Sequence, residues 1–207
     1  MSIPDTKDRI LHGAYLMFSK YGIKSVTMDD IAKDLGMSKK TIYQFFRDKD
    51  EVVHTLTERQ FLVDSKEFEA IAATAPNVVE EVFLHMRKMH QMFSTVNANM
   101  IYDLRKYHPR SWDLFSKFRN EVAYEMVFKA LEKGKKDGLV RNDVNSNVVS
   151  RLRVEEIEMG FNPAIFPPSE HSIIDVQTAL VEHFLYGICT LKGHRLINKL
   201  KQINEEE

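Results

Sequence analysis

The sequence predicts an all-α protein, and three observations carry that expectation. Apolar residues recur at three- and four-residue spacing from end to end. No run alternates with period two, and no Asn-Gly or Asp-Gly joins two β-rich segments. Asp137-Gly138 follows a long helical pattern and reads as that helix's glycine stop. With 43% hydrophobic and 29% charged residues in 207, the chain can bury a core and is not disordered along its length.

The first helix is expected from about Asp5 to Tyr21, with Ile10, Leu11, Ala14, Phe18 and Tyr21 on one face and Gly22 ending it. Thr27 with Asp30 forms a capping-box pair that opens a second, short helix, whose stripe is Ile31, Ala32 and Leu35. Gly36 permits a sharp turn, and Ser38 caps a third helix carrying Lys39 through Phe46. Asp48 with Glu51 opens a fourth, in which Val52, Val53 and Leu56 face inward and which continues to about Ile71.

Beyond the Thr74 to Asn77 break, Val78, Val82, Met86, Met89 and Phe93 make the next apolar face, and a helix follows around Met100 to Tyr107. Pro109 begins a long helix through Trp112, Phe115, Phe118, Val122, Met126 and Leu131 to Gly138. Asn145 or Ser146 caps a helix to about Gly160. After the Pro163 to Pro168 loop, Ser172 with Asp175 caps one last long helix through Leu180, Phe184, Ile188, Leu191 and Ile197 to about Ile203, before a frayed Glu205 to Glu207 tail.

Net charge is -1 and the sequence pI near 6.7, so the whole chain lacks the strong positive charge of non-specific nucleic-acid binders. Residues 1–50 hold nine Lys/Arg against seven Asp/Glu, a balance of +2, leaving twenty against twenty-three, or -3, for the rest. No apolar stretch reaches membrane-spanning length and Met1 to Asp5 does not resemble a signal peptide, which predicts a cytoplasmic protein. The single cysteine, Cys189, lies in an apolar helical pattern suited to a buried thiol.

A helix, tight turn and helix of this kind suits DNA, because the second helix can enter the major groove while its other face packs on its supports. Ile42 and Phe46 suit the inside, whereas Lys39, Thr41, Tyr43 and Gln44 can look outward; Lys40 and Phe45 fit either place. Gln44 can pair with adenine, Lys39 with guanine or phosphate, and the Thr41 methyl with a thymine methyl. Lys24, Lys49 and the Tyr43 hydroxyl suit phosphates. A solvated face is the alternative for Lys24, Lys39 and Lys40, and simple packing for Phe45.

The segment Val26-Thr27-Met28-Asp29-Asp30-Ile31-Ala32-Lys33-Asp34-Leu35-Gly36-Met37-Ser38-Lys39-Lys40-Thr41-Ile42-Tyr43-Gln44-Phe45-Phe46-Arg47-Asp48-Lys49 resembles the DNA-binding signature of the tetracycline-repressor (TetR) family, nearly without gaps over residues 8–55. The resemblance implies that Tyr43 and Lys49 contact phosphates, and that Lys39, Thr41 and Gln44 contact bases or nearby backbone. It departs from the usual residues at Gln44 and Phe45, which bears on base preference and removes one hydroxyl. With Thr27 and Ser38 at the helix starts and Lys40 beside them, these residues make the expected DNA-binding set. The resemblance further implies a helix-turn-helix domain over 1–50 and a larger helical domain over 51–207, with a ligand cavity and a dimer interface built from the last two long helices.

The expected partners are double-stranded operator DNA, a second copy of the chain and a small apolar or aromatic effector, with repression released by the effector. Candidate effector contacts are Met86, Met89, His90, Phe93, Tyr102, Trp112, Phe115 and Met126, although any helical core needs such stripes. Val148, Val149, Leu152, Val176, Leu180, Phe184 and Ile188 are the expected interface. Enzymatic readings find little: His85 and His90 are five apart, off one helix face, and no metal spacing, phosphate loop or nucleophile elbow is present, so neither catalytic residue nor cofactor is expected. A regulator answering to a protein partner, or a protein of chromosome organisation, is the alternative within the same fold.

Overall fold

The computed structural model describes residues 5–94 and 98–203; the Glu205 to Glu207 tail, expected to fray, lies outside them. The helices are α1 (Thr6–Tyr21), α2 (Met28–Asp34), α3 (Lys39–Tyr43), α4 (Lys49–Thr74), α5 (Val78–Ser94), α6 (Ala98–Tyr107), α7 (Pro109–Lys117), a π-helical stretch (Phe118–Ala123), α8 (Tyr124–Lys136), α9 (Ser146–Met159), α10 (Ile173–Ile188) and α11 (Leu191–Lys201). Among the described residues the β-type pairing is an isolated bridge, Val140 with Cys189. The protein is all-α.

By packing, the chain forms two compact units. The first takes the chain to Asp64 together with Phe93–Ser116, and the second Ser65–Met92 with the chain from Lys117 on. The sequence places a division at residue 50, whereas the first packing unit also holds the start of α4, then α6 and most of α7.

In the first unit Ile10, Leu11, Ala14 and Phe18 of α1 meet Ile31 and Ala32 of α2, Ile42 of α3, Phe46, and Val52 and Val53 of α4. Met100 and Leu104 of α6 pack against the same core. The turns follow from local chemistry. Thr27 Oγ1 accepts from the Asp30 amide at 3.2 Å while the Asp30 carboxylate accepts from the Thr27 amide at 2.8 Å, the reciprocal capping box. Gly36 sits at φ +62°, where a side chain would be strained. Asp48 accepts from the Glu51 amide at 2.8 Å, and Glu51 in turn from the Arg47 amide at 2.7 Å.

The second unit is built on Val78 and Val79 of α5, Leu131 of α8, Leu139, Val140, Val181, Phe184, Leu185 and Ile188 of α10, and Ile197 of α11. Asn145 accepts from the Val148 amide and Ser172 from the Asp175 amide, so both later helices start where their caps predict.

Four expectations on extent are corrected. The third helix stops at Tyr43 instead of Phe46, where the chain tightens and the Phe45 amide binds the Ile42 carbonyl three residues back at 3.0 Å. The fourth runs on to Thr74, past Ile71. The helix from Pro109 is interrupted by the π-helical stretch, within which Arg119 is buried and pairs with Glu155 and Glu158 of α9. The last long helix is two helices: Cys189 is extended, at φ -79° and ψ 154°, and Thr190 starts α11 by accepting from the Gly193 amide. The Thr190 amide binds the Leu139 carbonyl at 2.9 Å, so the break is held by pairing with a distant segment.

Candidate nucleic-acid interface

The α2–turn–α3 segment separates its residues by face. Ile42 and Phe46 are 0% and 1% exposed, whereas Lys39, Lys40, Tyr43 and Gln44 are exposed. Phe45 is half-buried and packs on the core, so it serves as a support, while Thr41 is half-buried at the rim. Ser38 accepts from the Thr41 amide at 3.0 Å, and the two hydroxyls lie 2.8 Å apart. Ser38 and Thr27 therefore spend their side chains on holding α3 and α2 in place.

The cations of this surface differ in their freedom. Lys39 Nζ is 2.7 Å from Asp29 Oδ1 and lies 5.9 Å from the centre of the Tyr43 ring. The hydrogen bond and the charge of Asp29 hold the Lys39 ammonium above its usual range. Both side chains are more than half exposed, so the pair adds little stability and a phosphate or guanine can displace Asp29. Lys40 is exposed on the same helix.

Lys24 lies in the connector between α1 and α2, exposed, with its ammonium 5.2 Å from the centre of the Tyr107 ring. Lys49 is placed differently from an exposed cation. It is half-buried, and its Nζ donates to the carbonyls of Ile23 at 3.0 Å and Val26 at 2.9 Å. Burial pulls its pKa below the ordinary lysine value, and the charge of Asp103 acts in the opposite sense.

Two groups of this unit escaped sequence reasoning. The buried Asp103 of α6 accepts from the Lys24 amide at 2.7 Å, and the buried His108 meets Asp50 of α4 at 2.7 Å. Their partners lie 79 and 58 residues away, so no local pattern announces them.

The expected effector residues fall in both units. Met86, Met89, His90 and Met126 are half-buried in the second, where His90 Nε2 is 2.8 Å from Thr178 Oγ1. Phe93, Tyr102, Trp112 and Phe115 belong to the first; Trp112 and Phe115 have ring centres 4.6 Å apart, and Tyr102 is exposed and accepts from Lys106. An open groove of about 570 Å³ also lies on the first unit, lined by Met17, Tyr21, Ser25, Val26, Asp30, Lys33 and Asp34, none of them an expected effector contact. Among the described residues no cluster of three or more His, Cys, Asp or Glu could hold a metal ion, and no helix is long and apolar enough to cross a membrane.

Of the expected interface residues, Val148 and Leu152 are 61% and 54% exposed, while Val149 and Leu180 are half-buried. Val176, Phe184 and Ile188 are buried, the last two within the chain's own core. The exposed strip of α10 is instead Asp175, Ala179, His183 and Gly187, spaced by four and carrying two small residues.

The family model described as bacterial regulatory proteins, tetR family, matches residues 10–56. An uncharacterized HTH-type transcriptional regulator of Bacillus subtilis (strain 168), YvaF, is 26% identical over 182 residues, covering 87% of this chain and 94% of its own length. Among solved structures, a transcriptional regulator from Saccharomonospora viridis in complex with choline has a TM-score of 0.68 at 18% identity, covering 89% of this chain and 97% of that one. Thermus thermophilus FadR in complex with lauroyl-CoA has a TM-score of 0.57 at 16% identity, covering 87% and 94%. Residues 10–56, which include the exposed face of α3, thus carry a helix-turn-helix similar to that of the tetR family of bacterial regulatory proteins, and the chain shares its helical architecture with solved transcriptional regulators.

Proposed function

We propose that the protein is a repressor that occupies a near-palindromic operator as a homodimer and leaves it on binding a small apolar or aromatic effector. The observation that carries the DNA-facing half is the division of residues 39–46, α3 and the turn after it, with Ile42 and Phe46 buried and Lys39, Lys40, Tyr43 and Gln44 presented together. In this reading Gln44 and the lysines reach base edges, Tyr43 and Lys24 hold phosphates, and residues 1–50 are the reading module carried by residues 51–207. Two modules would enter successive major grooves about 34 to 36 Å apart.

The dimer reading rests on the exposed apolar pair Val148 and Leu152 of α9 and the strip of α10 whose small residues Ala179 and Gly187 admit a close neighbour. The apolar character of the effector is supported by the half-buried Met86, Met89, His90 and Met126, and the existence of one by two proteins of similar fold in complex with choline and with lauroyl-CoA. An effector releases DNA only by binding one conformer better than the other, so its differential affinity sets the loss.

The test is a binding titration against the intergenic DNA beside the protein's own gene, with wild type and Tyr43→Ala, followed by sedimentation of wild type and Leu152→Glu. A discrete site bound by a dimer, weakened by the first substitution and lost with dissociation on the second, supports the proposal. A wild-type monomer at micromolar concentration, or binding indifferent to Tyr43, overturns it.

A further inference from the structure

The connector between α1 and α2, residues 22–27, decides where α2 begins and where Lys24 points. Ile23 and Val26 are 1% and 2% exposed, so their backbone groups have little access to water and need internal partners. Charged side chains from two later helices supply them. Lys49, the first residue of α4, donates to the Ile23 and Val26 carbonyls, and Asp103 of α6, 5% exposed, accepts from the Lys24 amide. The two side chains are of opposite charge, and the Asp103 charge acts on the Lys49 ammonium. Tyr107, one helical turn beyond Asp103, lies beneath the Lys24 ammonium.

We infer that Lys49 and Asp103 form a two-sided latch on this connector, and that Lys49 governs DNA affinity by positioning Lys24 and α2 instead of touching a phosphate. Lys49 and Asp103 are positioning residues in this arrangement, and Lys24 is the phosphate contact. The inference rests on the DNA-binding reading and alters the role expected of Lys49. An ammonium committed to two carbonyls, with a carboxylate nearby, is already solvated by the protein. Two of its three N–H donors are spent on carbonyls, and swinging the ammonium outward to a phosphate would strip both of a charge-assisted partner.

The salt dependence of binding separates the two roles. Each phosphate contact contributes about 0.9 to the slope of log affinity against log salt on duplex DNA. The probe is a duplex selected by the wild-type protein from a random pool, or a random-sequence duplex if none is selected. Lys24→Gln should lower the slope by about 0.9. Lys49→Met should weaken binding about tenfold with the slope unchanged, as expected for loss of support beneath the contact. Asp103→Ala should also weaken binding, although removing a negative charge from a purely electrostatic site would tighten it.

Amide hydrogen exchange at Lys24, measured without DNA, reads the latch independently of any operator. Exchange there should quicken at least tenfold in Lys49→Met and in Asp103→Ala, which removes the acceptor of the Lys24 amide, while the Ile10 and Phe18 amides of α1 keep their protection. A slope that falls by about 0.9 in Lys49→Met makes Lys49 a phosphate contact and overturns the inference. Unchanged exchange at Lys24, or tighter DNA binding by Asp103→Ala, overturns it too. Should the wild type bind no duplex at any salt, the DNA-binding reading fails while the exchange result still decides the latch. Should Lys49→Met not fold, Asp103→Ala carries both readouts alone.

Discussion

Gly193→Ala offers a test in which helix propensity and packing predict opposite signs. Gly193 is in the first turn of α11, where its amide donates to the capping Thr190 hydroxyl at 3.2 Å. Propensity alone favours alanine there by at most about 1 kcal/mol. A Cβ at this position would lie 2.7 Å from the Leu139 carbonyl oxygen, 2.8 Å from Cys189 Cβ and 3.0 Å from Cys189 Sγ. The first obstacle is backbone and cannot rotate away. That same carbonyl accepts from the Thr190 amide at 2.9 Å, so backing α11 off would lengthen the bond that starts the helix. Overpacking of this kind costs about 1 to 3 kcal/mol, and the backbone obstacle puts it near the upper end. The balance is a net loss of about 2 kcal/mol, or a fall in Tm of about 4 to 8 °C for a chain of this length. Thermal unfolding followed by circular dichroism, with urea titration to check an unchanged m value, measures it. A variant that melts at or above the wild-type temperature refutes the reasoning and returns the decision to propensity.

Acid should loosen the helix starts of the first unit. Hydrogen bonds from Thr27 hold the Asp30 carboxyl below its usual range, and those from Arg47 and the Glu51 amide do the same for Asp48. Because these folded values are depressed, the stability they add is whole above the unfolded carboxylate value of about 3.9 and is lost as pH falls through the folded values. Urea midpoints between pH 6 and 2.5 should therefore drop less for Asp48→Asn than for wild type, and equal slopes would contradict the assignment. Cys189 should be inert: burial pushes its thiol up to about 11, so Ellman's reagent at pH 8 should label the folded chain at least about 100-fold more slowly than the urea-unfolded one. Labelling of the folded chain at the unfolded rate would show that the thiol is open.

The parts of the fold legible in the sequence are those settled within one helical turn. Thr27 with Asp30, Ser38, Asp48 with Glu51, Asn145 and Ser172 each cap a helix through partners three residues away. The split of residues 39–46 into buried Ile42 and Phe46 and exposed Lys39 and Gln44 is likewise a matter of spacing. What was hidden depends on distant partners. Apolar periodicity runs unbroken through Cys189 and Thr190, and only the Leu139 carbonyl, 51 residues back, reveals why the helix breaks there. The π-helical stretch Phe118–Ala123 contains neither glycine nor proline and is tied to Arg119 meeting α9. Phe184 and Ile188 suit an interface and a core equally by chemistry, and the packing of their own chain takes them. The commitment of Lys49 to two carbonyls could not be inferred from a lysine that resembles a phosphate contact.

The brevity of α3 sets a limit on how much genetic information one module can read. Its five residues rise only about 7.5 Å along the helix axis, roughly the height of two base-pair steps, so its exposed side chains can inspect about three base pairs. A given triplet recurs by chance about every 64 base pairs, and two triplets at a fixed separation about every 4,000, against the roughly 10⁶ or more competing sites of a genome. Letters read by α3 alone would therefore leave hundreds of indistinguishable addresses. Further discrimination would come from Gln44, just beyond the helix, and from how readily the untouched spacer bends or narrows to fit, so the sequence between the half-sites should matter alongside the half-sites themselves.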